Sequence, residues 1–265
     1  MFKIALDAGH GMNTPGKRCL KALDPNETRE WYLNDRIADL VEKKLEAYEG
    51  YEVLRVDDAT GNVDVSLSKR VQAANAWGAD FYLSVHHNAG VAGGSGGGII
   101  SIAYTRASPK SLEYQKLIYE ELINATGLKG NRIIPCPKQN LQVLRETNMP
   151  AVLVECGFMD SSTDVPVILS EEFAEACADG LVLALAEIGK LTEKRENIME
   201  CDGTSQKRFD FADIEGHFAE DDINDLVCMG IVNGKTNDRF MPNEPITRGE
   251  VAAVARRIIR YITGK

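Results

Sequence analysis

Only four histidines occur in 265 residues, and three of them fall where a sheet would deliver chemistry. His10 follows the apolar run "FKIALDA", and the adjacent pair His86 and His87 follows "FYLSV". Glu155 closes a third run, "AVLVE", directly before Cys156 and Gly157. Ligands of α/β proteins collect at the carboxyl ends of strands, so these positions are expected to converge. Glu30 lies one helical step before Leu33 and Ile37, which points its carboxylate toward the sheet. The helix macrodipole favours its ionised form, and an inward carboxylate needs a cationic partner or a metal. Glu27, one turn earlier, is the rival for this role.

Two histidines and a carboxylate form a common zinc shell that leaves a fourth position for water. Such a metal lowers the pKa of its water and polarises a carbonyl oxygen. A second, non-ligating carboxylate would take the water's proton and return it to a leaving nitrogen, a role that suits Glu155. Successive strand side chains face opposite ways, so one of His86 and His87 is expected at the site. The bland alternatives are a structural histidine, a capping Glu30 and a salt-bridged core Glu155. On the residues alone, the reading reaches a metal-assisted hydrolase and no substrate.

The elements that must position these groups are legible as periodic segments. "FKIALDA", "YEVLRV", "ADFYLSV", "GIISIAY" and "AVLVE" read as strands, the last buried on both faces. Helical patterns run from about Asn26 to Tyr48, over "SLSKRVQAANAWG", from Pro109 to Thr126, and over "EEFAEACADGLVLALAEIGKL". "NRIIP" and "LQVL" read as short extended pieces. The alternation predicts an α/β domain over residues 1–190, a mostly parallel twisted sheet with helices on both faces. Residues 191–208 lose apolar periodicity and read as a linker. Residues 209–265 form a small helix–loop–helix module. Gly230 caps its first helix, and Thr247 with Glu250 marks the start of its second by capping-box spacing.

Composition excludes several classes. A net charge of −10 argues against sequence-independent binding to nucleic acid. No apolar run is long enough to insert across a bilayer. "MFKIALDAGHG" lacks the features of a secretory signal, which implies cytoplasmic synthesis. The six cysteines are dispersed without a C-x-x-C pair and read as unpaired thiols. "GGSGGG" lacks the Gly-Lys-Ser/Thr of a phosphate loop and precedes a strand, so it reads as a flexible loop.

Several ordered segments resemble the zinc-dependent N-acetylmuramoyl-L-alanine amidases of the amidase-3 type. They are "LDAGHG", "EWYLNDRIADLVEKKL", "VSLSKRVQAANAWGADFYLSVHHNAG" and "LQVLRETNMPAVLVECGF", spread over nearly all of residues 1–190. The resemblance implies Zn2+ held by His10, Glu30 and His86, with Asn34 four residues after the glutamate ligand. It implies Glu155 as the catalytic acid/base. The implied substrate is peptidoglycan, cut at the amide joining the lactyl group of muramic acid to L-alanine of the stem peptide.

Residues 209–262 resemble one S-layer homology module through "GIVNG", "F-x-P" and "ITRGE". That resemblance implies a secondary cell-wall polymer as partner, with Arg248 in contact with it. Phe218 stands where the family usually has tryptophan, and one module is present where anchors commonly have three. Such a copy would complete its groove as a homo-oligomer or serve to dimerise. With no signal peptide, the expectation is a phage or prophage endolysin, stored in the cytosol and acting at the cell wall after release. A non-catalytic wall-binding protein and a wall-sugar deacetylase are the alternatives, separated by product chemistry.

Overall fold

A computed structural model describes residues 1–130, 132–194, 211–236 and 238–263. The chain divides into two compact units, Met1–Lys194 and Arg195–Lys265. The first contains β1 (Phe2–Ala8), α1 (Glu30–Leu45), β2 (Tyr48–Glu49), β3 (Tyr51–Arg55), α2 (Leu67–Trp77) and β4 (Phe81–Asn88). It continues through β5 (Ile100–Tyr104), α3 (Pro109–Thr126), β6 (Lys138–Gln139), α4 (Gln142–Arg145) and β7 (Ala151–Phe158). It closes with α5 (Val165–Ile168), α6 (Glu171–Gly189) and β8 (Thr192–Glu193). The second unit carries α7 (Glu220–Cys228) and α8 (Arg248–Thr263).

Six strands form the main sheet in the order β3-β1-β4-β7-β5-β6. Neighbours run parallel except β5, which is antiparallel to β7. Alternation along β1 sends Ile4, Leu6 and Ala8 into one core and Ala5 into the other. Helices α1, α3 and α6 cover the first face through Leu33, Ile37, Ile118, Leu122, Leu181 and Leu185. On the opposite face, α2 and α4 pack through Val71, Ala74, Val143 and Leu144. The expected architecture, a mostly parallel sheet with helices on both faces, is the one found.

Local departures from the sequence reading have local causes. Helix α1 begins at Glu30, not near Asn26, because Asp24 accepts the Asn26 and Thr28 amides and Glu27 sits at φ 50°. The third long strand extends through the histidine pair to Asn88, and β7 runs past Glu155 to Phe158. A register shift between His86 and Asn88 lets both strands continue together. "LQVL" is the short helix α4, closed by amides of Leu144 and Arg145 onto the Leu141 carbonyl. "NRIIP" forms no strand among its described residues, and Ile133 is 98% exposed.

Thr192–Glu193, the first residues of the stretch read as linker, pair antiparallel with Tyr48–Glu49. Residues 195–210, the rest of that stretch and the start of the module, lie outside the described residues. The expectation of unpaired cysteines holds for Cys19, Cys136, Cys156 and Cys177, which are free, but Cys228 is disulfide-bonded. In the second unit the capping box forms as read: Thr247 Oγ1 accepts the Glu250 amide, and Glu250 Oε2 accepts the Thr247 amide.

A buried ion pair beneath β1 ties the sheet to α2. Arg70 and Asp7 are each 1% exposed, and Asp7 also accepts from the hydroxyls of Tyr82 and Ser84. Burial disfavours the Asp7 charge, but the Arg70 guanidinium and the Ser84 hydroxyl hold its carboxyl below the usual value of 3.8. The pair's stabilisation is therefore complete above that value and is lost as pH falls below it. Arg70→Met should destabilise the protein by about 3–5 kcal/mol in urea unfolding at neutral pH, because it leaves Asp7 buried and unpaired. A loss under about 1 kcal/mol would contradict a structural role for the pair.

Candidate metal centre

His10 stands on the turn that follows β1, with φ 69°. A non-glycine residue rarely adopts that conformation, so it must be held in place. Arg70 holds it: its guanidinium donates to the carbonyls of Ala8 and His10, both at 2.7 Å. Gly9 must be glycine because a Cβ there would lie 2.1 Å from His86 Cε1. The turn's close approach thus brings His10 beside His86, with ring centroids 5.0 Å apart and perpendicular planes.

Glu30 enters from the first turn of α1 and is 1% exposed. Its Oε1 lies 3.3 Å from His10 Nε2 and 3.1 Å from His86 Nδ1. One potential ligand atom from each of His10, Glu30 and His86 falls within 4.8 Å of the other two. Glu27 is excluded from this group, its carboxylate engaged 3.2 Å from Arg18 and 3.7 Å from Lys21. His87 is also outside it. Its ring turns toward α1 and meets Asn34 Oδ1 at 2.8 Å.

Glu155 lies in register opposite His86 on the neighbouring strand. The structure therefore brings four of the five predicted site residues together. Arg248, the fifth, is exposed at the start of α8. A groove of about 450 Å³ in the second unit is lined by Lys235, Met241, Glu250 and Arg257, and Arg248 is not among its lining residues. Glu250 pairs with Lys235.

The charges follow from burial and proximity. Burial opposes ionisation of Glu30, but hydrogen bonds to His10 and His86 hold its carboxyl well below the ordinary range. His86 is raised, since Glu30 outweighs the burial that disfavours its charge. Burial pushes His87 down to about 3, so that ring is neutral. Burial also pushes Glu155 up to about 7, with Glu30's charge adding and His86 and Lys17 opposing.

These groups fit a divalent metal. Two imidazoles and one carboxylate are the donor set that zinc accepts in open catalytic sites. Glu30 Oε2 is buried with no hydrogen-bond donor, and Lys17 Nζ stands 3.5 Å away. A cavity of about 280 Å³, lined by His10, His86, Asp64, Ser66 and Arg70, gives access. Arg70, Asn34 and Lys17 were not singled out as site residues from sequence. Arg70 had a signal, because it shares the apolar face of α2 with Val71 and Ala74.

Fold and cluster define the class, an α/β protein with a two-histidine, one-glutamate centre at the carboxyl edge of its sheet. The chain belongs to the N-acetylmuramoyl-L-alanine amidase family, which residues 4–187 match. Residues 210–252 match the S-layer homology domain. The amidase CwlM of Bacillus licheniformis is 32% identical over 73% of this chain and 71% of its own length. The endolysin of Bacillus phage SPP1 is 31% identical over 72% of this chain and 67% of its own. A crystal structure of an N-acetylmuramoyl-L-alanine amidase from Clostridium difficile 630 superposes with a TM-score of 0.63 at 27% identity. That match covers 70% of this chain and 95% of the other.

Zinc content separates the two adjacent histidines. At saturating zinc, His86→Ala should fail to take up a stoichiometric metal by elemental analysis, while His87→Ala still takes up one equivalent, with lower affinity. Loss confined to His87→Ala would reverse the assignment.

Proposed function

We propose that the chain hydrolyses peptidoglycan at the amide joining the lactyl group of N-acetylmuramic acid to L-alanine of the stem peptide. The observation that carries this reading is the placement of Glu155 opposite His86, with its Oε2 buried and without a hydrogen-bond partner. His10, Glu30 and His86 would hold zinc. When bound, the metal supplies Lewis acidity, which polarises the scissile carbonyl and makes water acidic enough to attack at neutral pH. Glu155 Oε2 is the free acceptor beside this centre. It takes the proton from the attacking water and delivers it to the alanine nitrogen as the C–N bond breaks.

Membership of the amidase family and the S-layer homology match support action at the bacterial cell wall. In this reading the second unit binds a secondary wall polymer, with Arg248 among its contacts. Val251, Ile258 and Ile262 form an exposed apolar stripe on α8, suited to self-association of the single module.

Glu155→Gln should keep zinc and lose about 10²–10⁴-fold in the rate of wall cleavage. Full activity in that variant would remove Glu155 from the chemistry. Removing residues 195–265 leaves the β2–β8 pairing intact. The truncated protein should cleave soluble muropeptides at the full rate but bind intact walls more weakly in a sedimentation assay. Unchanged wall binding would refute a targeting role for the second unit.

A further inference from the structure

We propose that Asn34 and His87 are positioning residues, a buried amide–imidazole tie that locks the three ligand-bearing elements together. Asn34 lies one turn after Glu30 on α1 and is fully buried. Its Nδ2 donates to the Gly9 carbonyl at 3.1 Å, and its Oδ1 faces His87 Nδ1 at 2.8 Å. Gly9 immediately precedes His10, and His87 immediately follows His86. One side chain, from the helix that carries Glu30, thus bonds to the residue adjoining each histidine of the cluster. The His87 backbone amide completes the tie by donating to Glu30 Oε1 at 3.3 Å.

The hydrogen-bond logic fixes every proton in the tie. A carbonyl only accepts, so Gly9 forces Asn34 to present its NH2 group on that side. The Asn34 oxygen must then face His87, and only a protonated Nδ1 can donate to it. The neutral Nδ1–H tautomer leaves Nε2 as a bare lone pair, and Nε2 is buried with no partner. With its proton committed to Asn34, His87 Nδ1 is unavailable as a metal donor. The same amide also bears on the strained turn: it grips the Gly9 carbonyl, while Arg70 grips the carbonyls of Ala8 and His10. His10 is therefore clamped at φ 69° by two separate side chains.

Side chains that orient ligands through hydrogen bonds typically change metal affinity about 10–100-fold when removed. The inference rests on His10, Glu30 and His86 being the metal ligands, and the experiment separates the two claims. Zinc affinity of the full chain is measured by competition with a chromophoric chelator. The proteins compared are wild type, Asn34→Ala and Leu122→Ala, the last a fully buried core residue of α3, an element that contributes nothing to the His10–Glu30–His86 group. Asn34→Ala should bind zinc about 10–100-fold more weakly, while Leu122→Ala, though less stable in urea, keeps the wild-type affinity. Wild-type affinity in Asn34→Ala, or an equal loss in Leu122→Ala, overturns the tie. A wild-type chain that binds no zinc instead overturns the ligand assignment.

A second measurement needs no variant. Nitrogen-15 NMR of histidine-labelled, metal-free protein should show His87 neutral with its proton on Nδ1. A proton on Nε2 would overturn the tie even if Asn34→Ala failed to fold.

Discussion

The carboxylate of Glu30 is withdrawn from water at the start of α1, and much of the site follows from that burial. A charge buried to 1% exposure is costly unless it is paired. The surrounding chain answers with two imidazoles, the His87 amide and one lysine ammonium 3.5 Å away, and still leaves Oε2 without a hydrogen bond. A protein that needed only helix capping would leave such a glutamate at the surface. Concentrating its field on two neighbouring histidines prepares a site for a cation.

Bringing the histidines to Glu30 imposes further constraints. β1 and β4 are adjacent and parallel, so their carboxyl ends reach the same edge of the sheet. His10 must then leave the strand in a left-handed conformation, and Gly9 must omit a side chain to let His86 approach. Arg70 donates to the Ala8 and His10 carbonyls of that turn, and its own charge is neutralised by Asp7. Asn34 satisfies the Gly9 carbonyl from the other side. Charge burial at one residue is thus linked to polar groups on β1, β4, α1 and α2.

How much of this was legible in the sequence depended on what each residue type announces. Histidines and acids at the ends of apolar runs are rare enough to stand out, and the structure brings His10, Glu30, His86 and Glu155 together. The alternation of strands and helices was equally plain, because apolar periodicity reports burial directly. The strand ends were read short because a polar residue, His86 in β4 and Glu155 in β7, interrupts each apolar run, whereas the pairing continues past it through a register shift. The start of α1 was placed early, since the Asp24 turn is built from residues that also suit a helix cap. Asn34 entered only as a motif position beside Glu30, and Arg70 was passed over although it shares the apolar face of α2, because a polar residue within an amphipathic helix is usually solvated. Their burial depends on partners distant in sequence, which pattern alone does not reveal.

The central claim is that this centre hydrolyses one particular amide with the help of a metal. Its most direct measurement is mass analysis of purified peptidoglycan digested by zinc-loaded protein, with and without chelator. The account predicts stem peptides with a new free α-amino group on L-alanine, intact N-acetyl groups on the glycan, and neither product in chelator. Acetate released with free glucosamine amines, or undiminished amide cleavage in chelator, would contradict it.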